Sequence, residues 1–117
     1  MSQLRQQGLV RFDFLDGALP GRANPTDIDQ AIERNGYFLF LECKRPRQAV
    51  STGQRIFFDR LVAGPRRIDV VIVQGNPPDD ITAWAPWGSE LRATNTKQFR
   101  ATVRRWYERA SQQRVAA

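Results

Sequence analysis

The sequence predicts an α/β fold, with helices packed on a mixed β-sheet in the order β-β-α-β-(β)-α. Three observations lead there. Asn35-Gly36 separates two strand-like stretches, 26–32 and 37–44, and Asn-Gly is a strong hairpin signal because both residues tolerate positive φ. Residues 96–113 place Phe99, Val103, Trp106 and Ala110 on one stripe, which is an amphipathic helix. Between hairpin and helix, a second helical spacing is followed by the β-branched run RRIDVVIV, residues 66–73.

Each element has its own signals. In residues 1–24, GLVRFDFLDG alternates weakly, a short helix over 2–8 is one reading, and GALPGRANP is loop by its Gly, Pro and Asn content. The run Tyr37 to Leu41 is apolar on both faces, as a central, doubly covered strand is, and Pro46 ends that strand. From about 50 to 63, Val50, Phe57, Phe58, Leu61 and Val62 recur at helical spacing, with Ser51 or Thr52 as N-cap. QGNPPDD reads as a loop, and DITAWAPWGSE as one more short strand and a turn.

The 117 residues make one domain, 1–117, with room for a single core. Eighteen Lys and Arg against twelve Asp and Glu leave a net charge of +6, which favours an anionic partner, nucleic acid above all. The start, Met1-Ser2-Gln3-Leu4-Arg5, leads into no apolar signal region and no run is long enough for a membrane span, so the expected location is the cytoplasm and no membrane partner is expected. Histidine is absent, which removes histidine-based nucleophilic catalysis and histidine zinc sites. One cysteine excludes an internal disulfide and a cysteine zinc cluster. Chemistry here would rest on carboxylates, lysines, tyrosines or an oxygen-bound metal.

The doubly apolar strand ends in Glu42-Cys43-Lys44. A two-residue turn sets Asp29 across from Glu42 and Asp27 across from Lys44, so these four would share one face. Directly opposed side chains have Cβ atoms about 4.5–5.5 Å apart, and like charges there are destabilising unless a cation lies between them. The plain alternative is a cross-strand Asp27–Lys44 ion pair with Glu42 at a solvated strand end. Charged groups that continue a buried strand are costly unless paired or metal-bound, which favours a site. Cys43 points to the opposite face, as a small buried hydrophobe would.

Pro25-Thr26-Asp27-Ile28-Asp29, followed by Glu42-Cys43-Lys44, resembles the signature of the PD-(D/E)XK, or restriction-endonuclease-like, nuclease superfamily. STGQRIFFDRL, with Gln54 opening the next helix, is similar to the Gln motif of its VRR-NUC and small phage-type branches. The likeness covers the motif-bearing core, about 25–75. It implies a restriction-endonuclease-like core and a phage- or prophage-type Mg²⁺-dependent deoxyribonuclease, more an endonuclease than an exonuclease, structure-specific or nonspecific, with Mn²⁺ able to substitute. It implies Asp29 and Glu42 as metal ligands with the Cys43 backbone carbonyl as a third, and Lys44 orienting or deprotonating the attacking water. Asp27 stays open as the alternative ligand. Gln54 would face the site by resemblance; periodicity alone allows an exposed glutamine equally. The family's additional N-terminal acid has no glutamate to match it before Glu33, and only Asp13 and Asp16 stand before the loop.

Arg45, Arg47 and Arg55 follow the motif, and Lys97, Arg100, Arg104, Arg105 and Arg109 lie on the last helix. Arginine grips phosphate with two parallel hydrogen bonds, so these are candidate nucleic-acid contacts, against a merely solvated helix face. Trp84 and Trp87 would stack on bases or, as packing favours, fill a core or dimer contact; Trp106 is core. A homodimer would help so short a chain embrace duplex DNA. The contrasting readings are a non-catalytic nucleic-acid-binding module on the same fold and a structural or interaction protein, which would show no metal dependence.

Overall fold

The turn at Asn35-Gly36 sets the register of everything around it. Both residues have positive φ, 57° and 82°, the conformation of a two-residue hairpin turn whose twist matches the flanking strands. The computed structural model describes residues 13–21, 27–64, 67–76 and 80–113. After a 3₁₀ turn at Asp13–Leu15 come β1 (Gln30–Arg34), β2 (Tyr37–Lys44), α1 (Thr52–Ala63), β3 (Ile68–Asn76), β4 (Asp80–Pro86), β5 (Arg92–Ala93) and α2 (Thr96–Gln112). The short helix read over 2–8 lies outside the described residues.

The strands form one mixed sheet in the order β1-β2-β3-β4-β5. β1 and β2 pair antiparallel from Arg34↔Tyr37 to Gln30↔Leu41, the register that the two-residue turn dictates. β2 and β3 are parallel, joined across one face of the sheet by α1, as a parallel pair requires. β4 and β5 add antiparallel, which makes the sheet mixed. The α/β class, the element order and the flanking helices follow the expectation.

Two elements have boundaries that differ from it. β1 begins at Gln30 rather than at 26 and runs on to Arg34, because the turn needs only Asn35 and Gly36. β3 continues through Gln74-Gly75-Asn76, which the prolines behind them had made look like loop. A bulge between Gln74 and Gly75 permits this, and a Cβ at Gly75 (φ 153°) would collide with the Asp80 carbonyl, so only glycine fits. The segment DITAWAPWGSE supplies β4 and the turn after it, in line with the expected short strand and turn.

Strand alternation divides the interior in two. Leu39, Val71 and Val73 meet Trp106 and Ala110 of α2 on one face, and Phe99 and Val103 complete the stripe read from the sequence. Trp106 donates from Nε1 to Asp69 Oδ2 at 2.9 Å, so its one polar atom is satisfied. On the other face, Phe58 of α1 is 1% exposed and packs edge-on against Trp87 at 5.2 Å. Val70 and Ala85 are buried as well. The hairpin also closes the end of α2. Asn35 donates from Nδ2 to the Ala110 carbonyl at 3.2 Å and to that of Gln113, and Arg34 Nε donates to Ser111 Oγ at 2.8 Å. Helix carbonyls that α2 cannot satisfy internally are thereby taken up.

Phe58→Ala is expected to lower unfolding free energy by about 3–5 kcal/mol, the range for emptying a fully buried aromatic site. Urea denaturation followed by circular dichroism measures it.

Candidate functional site

Glu42 and Lys44 alternate onto the α1 face of β2. They are 5% and 9% exposed and are the buried charged residues among those described. Two such groups are held in a low-dielectric interior only by each other and by further hydrogen bonds. Gln54 supplies those. Its Nε2 donates to Glu42 Oε2 at 2.7 Å, and its Oε1 accepts from Lys44 Nζ at 2.8 Å. Lys44 Nζ also lies 3.2 Å from Glu42 Oε2. The three side chains form a closed triangle between strand and helix.

The start of α1 explains why Gln54 can reach. Ser51 caps the helix, its Oγ accepting from Gln54 N at 3.2 Å, and Gln54 Oε1 lies 3.4 Å from the Ser51 N–H in a capping box. The same amide oxygen thus serves the cap and Lys44. Of the two readings of Gln54, the inward one holds.

One atom is left over. Glu42 Oε1 is buried and has no hydrogen-bond partner. A carboxylate oxygen shut from water with nothing to accept from is costly, and such a group calls for a ligand, ion or water.

Asp29 departs from the expected arrangement. The shared face of Asp27, Asp29, Glu42 and Lys44 requires the ladder to continue past Gln30, and it stops there. Asp29 Oδ2 instead accepts from the Cys43 main-chain N–H at 2.8 Å, replacing the backbone partner that a longer β1 would provide. Asp29 therefore lines the α2 side of the sheet with Cys43, while Glu42 lies on the α1 side. The two carboxylates approach the end of β2 from its two faces. Asp27 is exposed and precedes β1. Among the described residues, no three acidic or cysteine side chains converge as a metal cage.

Cys43 senses all of these groups. Burial pushes its thiol pKa up, the Asp29 and Glu42 carboxylates push it further, and Lys44 pulls it back. The side chain is partly exposed rather than fully buried, at the floor of an open groove of about 930 Å³ between the hairpin and α2. Arg100 and Arg104 stand on the α2 wall of that groove. Behind Lys44 is a second, smaller cleft of about 170 Å³, lined in part by Gln48, Gln74 and Leu91. Gln74 is level with Lys44 in the parallel ladder. The prolines of QGNPPDD make Gln74 read as loop in the sequence, which hides its place beside the site.

The other basic candidates are exposed. Arg45 and Arg47 sit on the loop past β2, where Arg47 has φ 69°. Arg55 lies over the Trp87 ring at 6.0 Å, and Lys97 is in the first turn of α2. Trp87 donates to Asp59 Oδ1 at 2.8 Å and Trp84 packs on Phe99 at 5.9 Å, so both tryptophans take the packing role.

No family model, curated protein or solved structure matches this chain. No helix among the described residues is long and apolar enough to cross a membrane.

Lys44→Met is expected to cost about 3–5 kcal/mol by leaving Glu42 charged and uncompensated in the interior. A shift of the urea midpoint without change in slope checks it. Cys43 in metal-free protein should react with iodoacetamide more slowly at neutral pH than an unhindered thiol, and speed up as pH rises through the alkaline range, because the reactive thiolate forms late. Asp29→Asn should raise the rate at fixed pH by removing one of the charges that oppose ionisation.

Proposed function

We propose that this chain is a metal-dependent nuclease that hydrolyses phosphodiester bonds in DNA, on a restriction-endonuclease-like core. The observation that carries the reading is Glu42 Oε1, a buried, unpartnered carboxylate oxygen on a strand end that also bears Lys44 and is bound by Asp29.

Glu42 would be the principal ligand of a Mg²⁺ ion, which needs few protein ligands and keeps several waters, with Asp29, which reaches the strand end from the other face of β2, and the Cys43 carbonyl as the further ligands that the resemblance implies. Once bound, it would lower the pKa of a water and offset negative charge on the phosphate. The protein's own part is positional. Gln54 fixes the Glu42 carboxylate through Oε2, which leaves Oε1 as the available donor. Lys44 uses two of its three N–H groups on Gln54 and Glu42, so one remains for a water or a phosphate oxygen. Its positive charge is fixed before substrate arrives, which is the kind of preorganisation that stabilises a developing anion. Arg45, Arg47 and Arg55 on the loop and helix beyond Lys44 would position the backbone. Mn²⁺ would serve in place of Mg²⁺, and two copies would span a duplex better than one.

A second reading is favoured by the burial of the pair. Glu42 and Lys44, tied through Gln54, also make a self-contained structural ion pair, as a non-catalytic nucleic-acid-binding module would retain.

Supercoiled plasmid and branched oligonucleotides incubated with Mg²⁺, Mn²⁺ or EDTA separate the two. The nuclease reading predicts cutting with either metal and none in EDTA. It also predicts a loss of about 10²–10³-fold in Glu42→Gln and in Lys44→Ala, both checked for native circular dichroism. DNA binding without cutting under every condition would favour the module.

A further inference from the structure

The open groove on the α2 side of the sheet has no role in holding Glu42, Lys44 or Gln54, yet Asp29 stands at its edge. Among the described residues its floor is apolar, with Leu41, Phe99 and Val103, and its α2 wall carries Arg100, Arg104 and Tyr107. Those last three fall at one-turn intervals along one stripe of the helix. Arg100 and Arg104 are about 6 Å apart along the axis, from the rise per residue. That suits successive phosphates of an extended strand. At the far end, Arg34 of β1 lies 5.0 Å over the Tyr107 ring, so positive charge continues past the aromatic. Arg104 Nε is 3.6 Å from Glu108, an exposed pair that solvent screens and that leaves the rest of the guanidinium free to bind.

We infer that this groove binds a single nucleic-acid strand, with Arg100 and Arg104 on its phosphates and unpaired bases against the apolar floor and Tyr107, and delivers it to Asp29. The inference deepens the nuclease reading and rests on it for the last step alone. The choice of a single strand comes from the combination of linings. A duplex keeps its bases stacked inside and would offer only phosphates, leaving Leu41, Phe99 and Val103 unused. A single strand presents both an anionic backbone and apolar base faces, which aromatic and basic walls together recognise. An apolar protein segment would fill the floor but find no use for two arginines on the rim. Asp29, the one acid on the groove's edge among the described residues, would repel a phosphate unless a cation joined them, which fits its assigned place at the reacting end.

The test is fluorescence anisotropy in EDTA, with a labelled 15-nucleotide oligothymidylate and a blunt 15-base-pair duplex at matched ionic strength. The single strand is expected to bind at least tenfold tighter than the duplex. Arg100→Ala/Arg104→Ala should weaken single-strand binding at least tenfold and reduce the slope of log K against log salt by about 1.4, two phosphate contacts' worth for a single strand. Tyr107→Ala should weaken it several-fold with little change in salt slope, as loss of stacking does. Equal affinity for both forms would overturn the inference. So would single-strand binding unchanged in the folded arginine double variant, or a groove closed by self-association, seen as a dimer in sedimentation that Arg100→Ala/Arg104→Ala dissociates. Because no metal is present, the result stands apart from cleavage. Arginine-dependent single-strand binding with no cutting in Mg²⁺ would uphold the groove and sink the nuclease; metal-dependent cutting without strand preference would do the reverse.

Discussion

The amide of Gln54 is the constraint on which the rest of this structure depends. It joins a buried carboxylate to a buried ammonium and at the same time closes the cap of α1. Without it, Glu42 and Lys44 would face each other in a low-dielectric space with too few hydrogen bonds to offset their desolvation. With it, a charged strand end can lie under a helix, and the helix start is fixed over that strand end. The same arrangement gives Glu42 its asymmetry. Oε2 is saturated and Oε1 is bare. An ion pair kept for stability alone has no use for a bare buried oxygen, whereas a ligand-binding carboxylate has.

The end of β2 is a junction between two unlike surfaces. The α1 face holds the closed polar triangle, and the α2 face holds an open apolar groove rimmed by arginine. Asp29 belongs to the second and Glu42 to the first, with Cys43 between them. The short β1 makes this possible. Had the ladder continued two pairs further, strand alternation would have placed Asp29 on the same face as Glu42 and set Ile28 level with Cys43, pairing the Cys43 N–H with backbone. Ending the strand at Gln30 frees the Asp29 side chain to do that pairing itself.

Much of the fold was legible because its signals are local. Asn35-Gly36 prescribed a two-residue turn and hence the register, and Phe99, Val103, Trp106 and Ala110 declared the buried stripe of α2. The doubly apolar Tyr37–Leu41 run announced an interior strand, and β2 does lie between β1 and β3, with Leu39 buried against α2, although Phe38 on the other face stays 39% exposed. Of the site, Glu42, Lys44 and Gln54 were found together as expected from the motif. The placement of Asp29 was not legible, since whether a carboxylate or a backbone carbonyl takes the Cys43 N–H depends on where a strand stops. The hairpin's cap on α2 and the Asp69–Trp106 bond were also hidden, because they join residues far apart in sequence. Gln74 was hidden by the prolines behind it, which suggested a loop where a glycine bulge carries the strand on.

The central proposal is that Glu42 Oε1, buried and without a hydrogen-bond partner, serves as a cation ligand. Titration of metal-free protein with Mn²⁺, followed by the loss of the free-ion electron paramagnetic resonance signal, tests it without any substrate. The account predicts saturable binding to the wild-type chain, abolished in Glu42→Gln and weakened in Asp29→Asn, with both variants folded. Binding that survives Glu42→Gln unchanged, or no binding at millimolar Mn²⁺, would contradict it.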